Sequence, residues 1–190
     1  MLKNQIIDTR FGLNHPSVQN VLKIAERIIE HNKTLNTKNL YDIAKNELNI
    51  PKKGLLKIIT YLLNNNILIE GSKYTRESVL NNTNRVKVLK FIENNIGSHF
   101  SPLRDLLARD RKVDSGSSGQ LLWHLEMLIK FNYIKKIKIG NYSVFIPVGL
   151  DEDKAKISLF LKDYLSSKIL ELLIKNKKLK QKNIYKLIGV

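Results

Sequence analysis

The chain has 190 residues, 43% of them hydrophobic, with 33 basic side chains against 17 acidic ones and a formal net charge of +16. That hydrophobic content supports packed cores and excludes a disordered tail, while the charge makes a polyanion the first partner to consider. The absence of cysteine excludes disulfides, thiol nucleophiles and thiolate metal sites, and leaves the cytoplasm as the expected location.

The opening "MLKNQIIDTRFG" lacks the apolar core of a signal peptide. The most apolar stretch, "ISLFLKDYLSSKILELLI", is interrupted by Lys162, Asp163, Lys168 and Glu171, so no membrane partner is expected. The basic excess is spread evenly: residues 1–80 carry net +5, residues 81–150 net +6 and residues 151–190 net +5. Such a spread suits several folded units that each touch an anion better than one globule with a sticky terminus.

In chain order, Val21, Ile24, Ala25 and Ile28 give helical periodicity over residues 17–32. Thr37 is the expected N-cap of a second helix over residues 40–48, and Pro51 suits the first turn of a third over residues 51–65. The following "ILIEGSKYT" predicts two short strands around Gly71 and Ser72. The same order then recurs: a helix over residues 85–95, and a short one to Arg109 with Ser101 as N-cap and Pro102 at its first position. Next come a polar loop, "RDRKVDSGSSG", and the amphipathic stretch "SGQLLWHLEMLIKFNYI". A second hairpin follows, "YIKKIKI" and "YSVFIP" flanking Gly140 and Asn141.

Laying the chain on itself makes the recurrence explicit. At an offset of 63, "IEHN" lies on "IENN", and Leu40 and Ile43 lie on Leu103 and Leu106. At 66, Leu55, Ile59, Leu62 and Leu63 lie on Leu121, Leu125, Leu128 and Ile129. A third, incomplete copy at 81 puts Leu170, Leu173, Ile184 and Leu187 on Leu89, Ile92, Leu103 and Leu106. Three helices and a β-hairpin in roughly 65 residues is the plan of a winged helix. The expected fold class is therefore mainly α with small β-hairpin wings. Residues 1–80 and 81–150 would form two tandem winged-helix domains. Residues 151–190, with a wide apolar face from Ile157 to Leu173 read as one long helix, would be either an incomplete third winged helix or a dimerisation hairpin.

The segment "SGQLLWHLEMLIKFNYI" resembles the recognition-helix region of archaeal and bacterial winged helix-turn-helix regulators, whose pattern approximates Gly-Thr-Val-x-Tyr-His-Leu. Gly119, Leu121, Trp123, His124 and Leu125 match it, with Gln120 in place of the usual Thr. Upstream, "FIENNIGSHFSPLRDLL" resembles the first two helices of that family. The likeness covers residues 85–148 well and the first copy less well. It departs at the long loop over residues 110–118 and at a wing tip without arginine.

The resemblance implies double-stranded DNA as partner and transcriptional regulation as function. It places Ser118, Gln120, Trp123, His124 and Met127 on the groove side of the second copy. Gln120 is the candidate for base readout, since its amide can pair with adenine through two hydrogen bonds. The 66-residue offset puts Lys52, Lys53, Lys57 and Tyr61 on the matching face of the first copy, where point-charge ammonium groups suit phosphate. Lys135, Lys136 and Lys138 on the second wing extend the basic surface. Against these stand plainer readings: Trp123 packs at an interface, His124 is structural, and the lysines are a solvated face. The rival function is a winged-helix protein interaction module of a membrane-remodelling or chromosome-organising complex. The four histidines lack metal-ligand spacing and no glycine loop cradles phosphate, so no metal, cofactor or enzymatic activity is expected. Homodimerisation through the C-terminal helices is the expected route to a palindromic site, and no effector is legible.

Overall fold

The computed structural model describes residues 12–109, 118–176 and 178–188. Most of the polar loop over residues 109–119 therefore lies outside the described residues, as does most of the opening segment. The described chain is mainly helical with a small three-stranded antiparallel sheet. It divides into two compact units, residues 1–83 with 130–132, and residues 84–129 with 133–190.

The first unit is built from α1 (Pro16–Asn32), α2 (Thr37–Glu47) and α3 (Lys52–Asn64). His15 caps α1, its Nδ1 accepting from the Ser17 amide at 3.2 Å. Asn36, one residue before the expected Thr37, caps α2, because its extended backbone lets Oδ1 accept from the Asn39 amide at 2.8 Å. Pro51 sits just outside α3, at its N-cap. Val18, Val21, Ile24 and Ile28 of α1 pack with Leu40 and Ala44 of α2 and with Leu55, Ile58, Ile59 and Leu62 of α3. Across this core, Arg27 of α1 donates to both carboxylate oxygens of Glu47 on α2, at 2.5 and 2.6 Å.

The hairpin expected around Gly71 and Ser72 does not form strands. Ser72 explains why: its hydroxyl accepts from the Tyr74 amide and donates to the Tyr74 carbonyl, both at 3.0 Å, so local bonds replace a ladder. The turn pairs with the chain before α2 instead, Leu35 donating to the Ser72 carbonyl at 2.8 Å and Gly71 to the Leu35 carbonyl at 2.9 Å. A 3-10 turn, Ser78–Asn81, then ends the segment.

The second unit holds α4 (Thr83–Asn94), β1 (Ser98–His99), α5 (Phe100–Arg109), α6 (Ser118–Lys130), β2 (Ile134–Ile139) and β3 (Tyr142–Pro147). Because α5 begins at Phe100, Ser101 and Pro102 lie inside its first turn, not at its boundary. Strand order is β1-β3-β2, with Ser98 opposite Phe145 and Ile134 opposite Pro147. The hairpin closes at Gly140, whose φ of 57° is open to glycine without strain.

The segment beyond the sheet is three helices, α7 (Glu152–Lys162), α8 (Tyr164–Lys175) and α9 (Gln181–Ile188). The long helix expected over residues 157–175 is broken at Asp163. Its carboxylate accepts from the Ser166 amide at 2.8 Å and from the Ser166 hydroxyl at 2.7 Å, so it caps a new helix instead of continuing the old one. Ala155 and Leu159 pack α7 onto Ile137, Val144 and Ile146 of the hairpin, whereas Leu170, Leu173 and Ile174 of α8 are exposed.

Local geometry recurs with the sequence offsets. α2 and α5 start 63 residues apart, and α3 and α6 both start and end 66 apart. Four described residues other than glycine have positive φ, Lys33, Ile96, Asn66 and Asn132, and they fall into two pairs separated by these same two offsets. Each follows a helix C-terminus, where a left-handed residue lets the chain turn back onto the last carbonyls. The turn after α3 shows this as Ile67 donating to Leu62 at 2.9 Å, and the turn after α6 as Tyr133 donating to Leu128 at 2.9 Å.

Candidate nucleic-acid interface

The third helix of each unit shows how one stripe is buried and another left to solvent. On α6 the buried residues are Leu121, His124, Leu125 and Leu128; on α3 they are Leu55, Ile58, Ile59 and Leu62, at the same positions. A helix pinned along one side presents the other as a straight ridge, about the width that a major groove admits.

On α6 that ridge carries Ser118, Gln120 and Trp123, all exposed, with Met127 half-buried at its edge. On α3 it carries Lys52, Lys53 and Lys57, exposed, and Tyr61, half-buried. His124 is a correction: only 5% exposed, it belongs to the core stripe, where Ile58 stands in the first unit. The self-alignment contained that signal, because Ile58 is apolar at the matching position. Leucine is the residue that sequence reasoning missed. Leu56 and Leu122 occupy matching positions on the two ridges and are 45% and 48% exposed.

Trp123 is 42% exposed, and the guanidinium of Arg85 on α4 lies 4.9 Å from its ring centroid. Arg85 is itself buried, so a cation attracted to the indole face holds this side chain against the unit. The ring therefore has one face on its own protein and part of its surface in solvent. Nothing in the sequence around Arg85 marks it as the partner of a residue 38 positions away.

The second wing divides its lysines by strand alternation. Lys136 and Lys138 share one side of β2 and are exposed. Lys135 points to the other side, where its Nζ donates to Glu152 of α7 at 2.9 Å, so it fastens α7 to the hairpin. Among the described residues, no cluster of three metal-ligating side chains occurs and no helix is long and apolar enough to cross a membrane.

Comparison with known proteins gives one informative likeness. No family profile and no solved structure matches the chain. It is 32% identical over 127 residues to a protein of Methanocaldococcus jannaschii described as an "Uncharacterized HTH-type transcriptional regulator". The match takes in 66% of this chain and 30% of the other, so the chain spans less than a third of the relative's length.

Proposed function

We propose that this chain binds double-stranded DNA as part of a transcriptional regulator, with two related helical units, the second bearing a β-hairpin wing, that each offer their third helix to a major groove. The observation that carries this reading is the matched pair of exposed ridges. α3 and α6 bury the same positions and expose the same positions, and the exposed ones hold lysines in the first unit and polar or aromatic groups in the second. The likeness to an HTH-type regulator and the charge of +16 support the same partner. In this reading α3 contributes phosphate affinity through Lys52, Lys53 and Lys57, Lys136 and Lys138 on the wing extend that basic surface, and Gln120 and Trp123 on α6 contribute sequence preference. Phosphate contacts position a protein on the duplex and base contacts specify the sequence.

The helices α8 and α9 fit the start of a third unit. α8 begins and ends 81 residues after α4, and α9 begins 81 residues after α5. Leu170 and Leu173, which α8 leaves exposed, stand 81 residues after Leu89 and Ile92, which α4 buries.

Titrating the chain with random-sequence duplex at several salt concentrations tests the proposal. Neutralising about six phosphates predicts that log affinity falls against log salt with a slope of about −5. A slope near zero, or no binding at low salt, would remove DNA as the partner.

A further inference from the structure

A cavity of about 410 Å³ lies within the second unit, between the tip of the hairpin and the junction of α7 with α8. Its volume is in the range that accommodates a small organic ligand, roughly 300–1,000 Å³. Three aromatic groups wall it: His99 of β1, Tyr142 at the hairpin tip and Phe160 of α7. His99 and Tyr142 meet edge to face with centroids 5.5 Å apart, while Tyr142 and Phe160 keep much of their surface exposed.

Asn141, Asp163 and Ser166 break this apolar wall. Behind it, the Nδ1 of His99 is buried and has no hydrogen-bond partner among the described residues, which is uncommon for a ring nitrogen inside a fold. Asp163 supplies a carboxylate, and the two donors of Ser166 hold it below the usual carboxyl range, so it is charged at neutral pH. In a chain carrying net +16, the lining contains no lysine or arginine among the described residues. Lys162, next in sequence to Asp163, turns its amine to the carbonyl of Asn95.

We propose that this cavity binds a small organic cation: a flat apolar body carrying an ammonium group. The body would lie between Tyr142 and Phe160. The ammonium would face the Asp163 carboxylate, where the aromatic walls add cation–π attraction. An anion would meet a carboxylate and, among the described lining residues, no lysine or arginine. Because the cavity is formed by the hairpin tip on one side and by α7 and α8 on the other, an occupant would link the wing to the helices beyond it. The inference does not depend on DNA binding.

The test is amide NMR of the whole chain titrated with phenethylamine and, separately, with phenylacetate, which share a ring and differ in charge. Phenethylamine should give saturable shifts confined to the amides around residues 99, 139–142 and 159–166, with a dissociation constant on the order of 1 mM for so small a probe. Asp163→Asn keeps a side chain able to cap α8 and should weaken binding roughly two- to fivefold. Phe160→Ala, at an exposed position, should weaken it by a similar factor. Absence of saturable shifts with the amine would overturn the site. Equal binding of the carboxylate, or equal binding by both variants, would overturn the assigned chemistry.

Discussion

The two units bury nearly the same helical stripe and dress it differently. Leu22 on α1 and Lys57 on α3 stand where the second unit has Arg85 and Trp123, so the charged and apolar members of the pair have changed places. In the first unit the cation is outside on the ridge. In the second it is buried, 4.9 Å from an indole that takes the ridge position. The lesson is that a common core fixes where side chains are presented, and that the presented chemistry is free to diverge. The same holds at the wing: the second unit has a paired hairpin and the first a turn closed by Ser72.

The largest expected effect comes from a position where the units cannot be exchanged. Gly97, after α4, has a φ of +116°, and a Cβ there would lie 2.9 Å from Cγ2 of Ile146 and 3.3 Å from the Phe145 carbonyl oxygen. Gly97→Ala should cost about 2–4 kcal/mol in urea unfolding, from backbone strain and overlap with β3. The matching Thr34 of the first unit should tolerate alanine within about 0.5 kcal/mol. Similar losses at both sites would show that the hairpin of the second unit does not impose this constraint.

A smaller effect should follow from undoing the exchanged pair. Arg85→Leu installs the residue that position 22 carries, and should cost about 1 kcal/mol through loss of the cation under the ring. Trp123 is the only tryptophan in the chain, so its emission reports this site directly. Unchanged emission and stability would mean that Arg85 does not hold the indole.

The smallest effect is on acid. Burial raises the Glu26 carboxyl of the first unit above its ordinary 4.5, with Glu77 and Glu30 adding to the rise. A raised folded value means that the ionised form is disfavoured in the fold, so acidification through that range relieves a slight strain in the first unit. In the second unit, the Ser166 hydroxyl and amide depress Asp163, and the amides of Lys154 and Asp153 depress Asp151, each from an ordinary 3.8. Their contributions are fully present above 3.8 and are lost as pH falls through the lower folded values. NMR of α7 and α8 should therefore show helix fraying below pH 3.8, and Asp163→Asn should remove the part at α8. Fraying of α8 at the same pH in that variant would reject the cap as its cause.

The helical scaffold was legible in the sequence because buried positions recur every three or four residues, and two copies of the pattern restrict each other. What escaped was decided by single polar side chains. The hydroxyl of Ser72 replaced the first hairpin, Asp163 divided a continuous apolar pattern into two helices, and Asn36 displaced Thr37 as a cap. On the two ridges, exposure of Gln120 and of the three lysines of α3 followed from the stripe. His124 is buried, in keeping with its structural reading and not with the groove side where the family resemblance placed it; its position opposite Ile58 carried that signal. Leu56 and Leu122 were passed over because an exposed leucine looks like core in a one-dimensional pattern. The Arg85 partnership is tertiary and has no local signature.

The proposed division of labour between the units is tested most directly by measuring Gln120→Ala and Lys53→Ala on a preferred duplex and on random duplex across salt. Gln120→Ala should reduce discrimination between the two by about 1–3 kcal/mol and leave the salt slope in place. Lys53→Ala should weaken both duplexes alike and reduce the steepness of the slope by about 1. Equal effects of the two substitutions on discrimination and on slope would contradict the division.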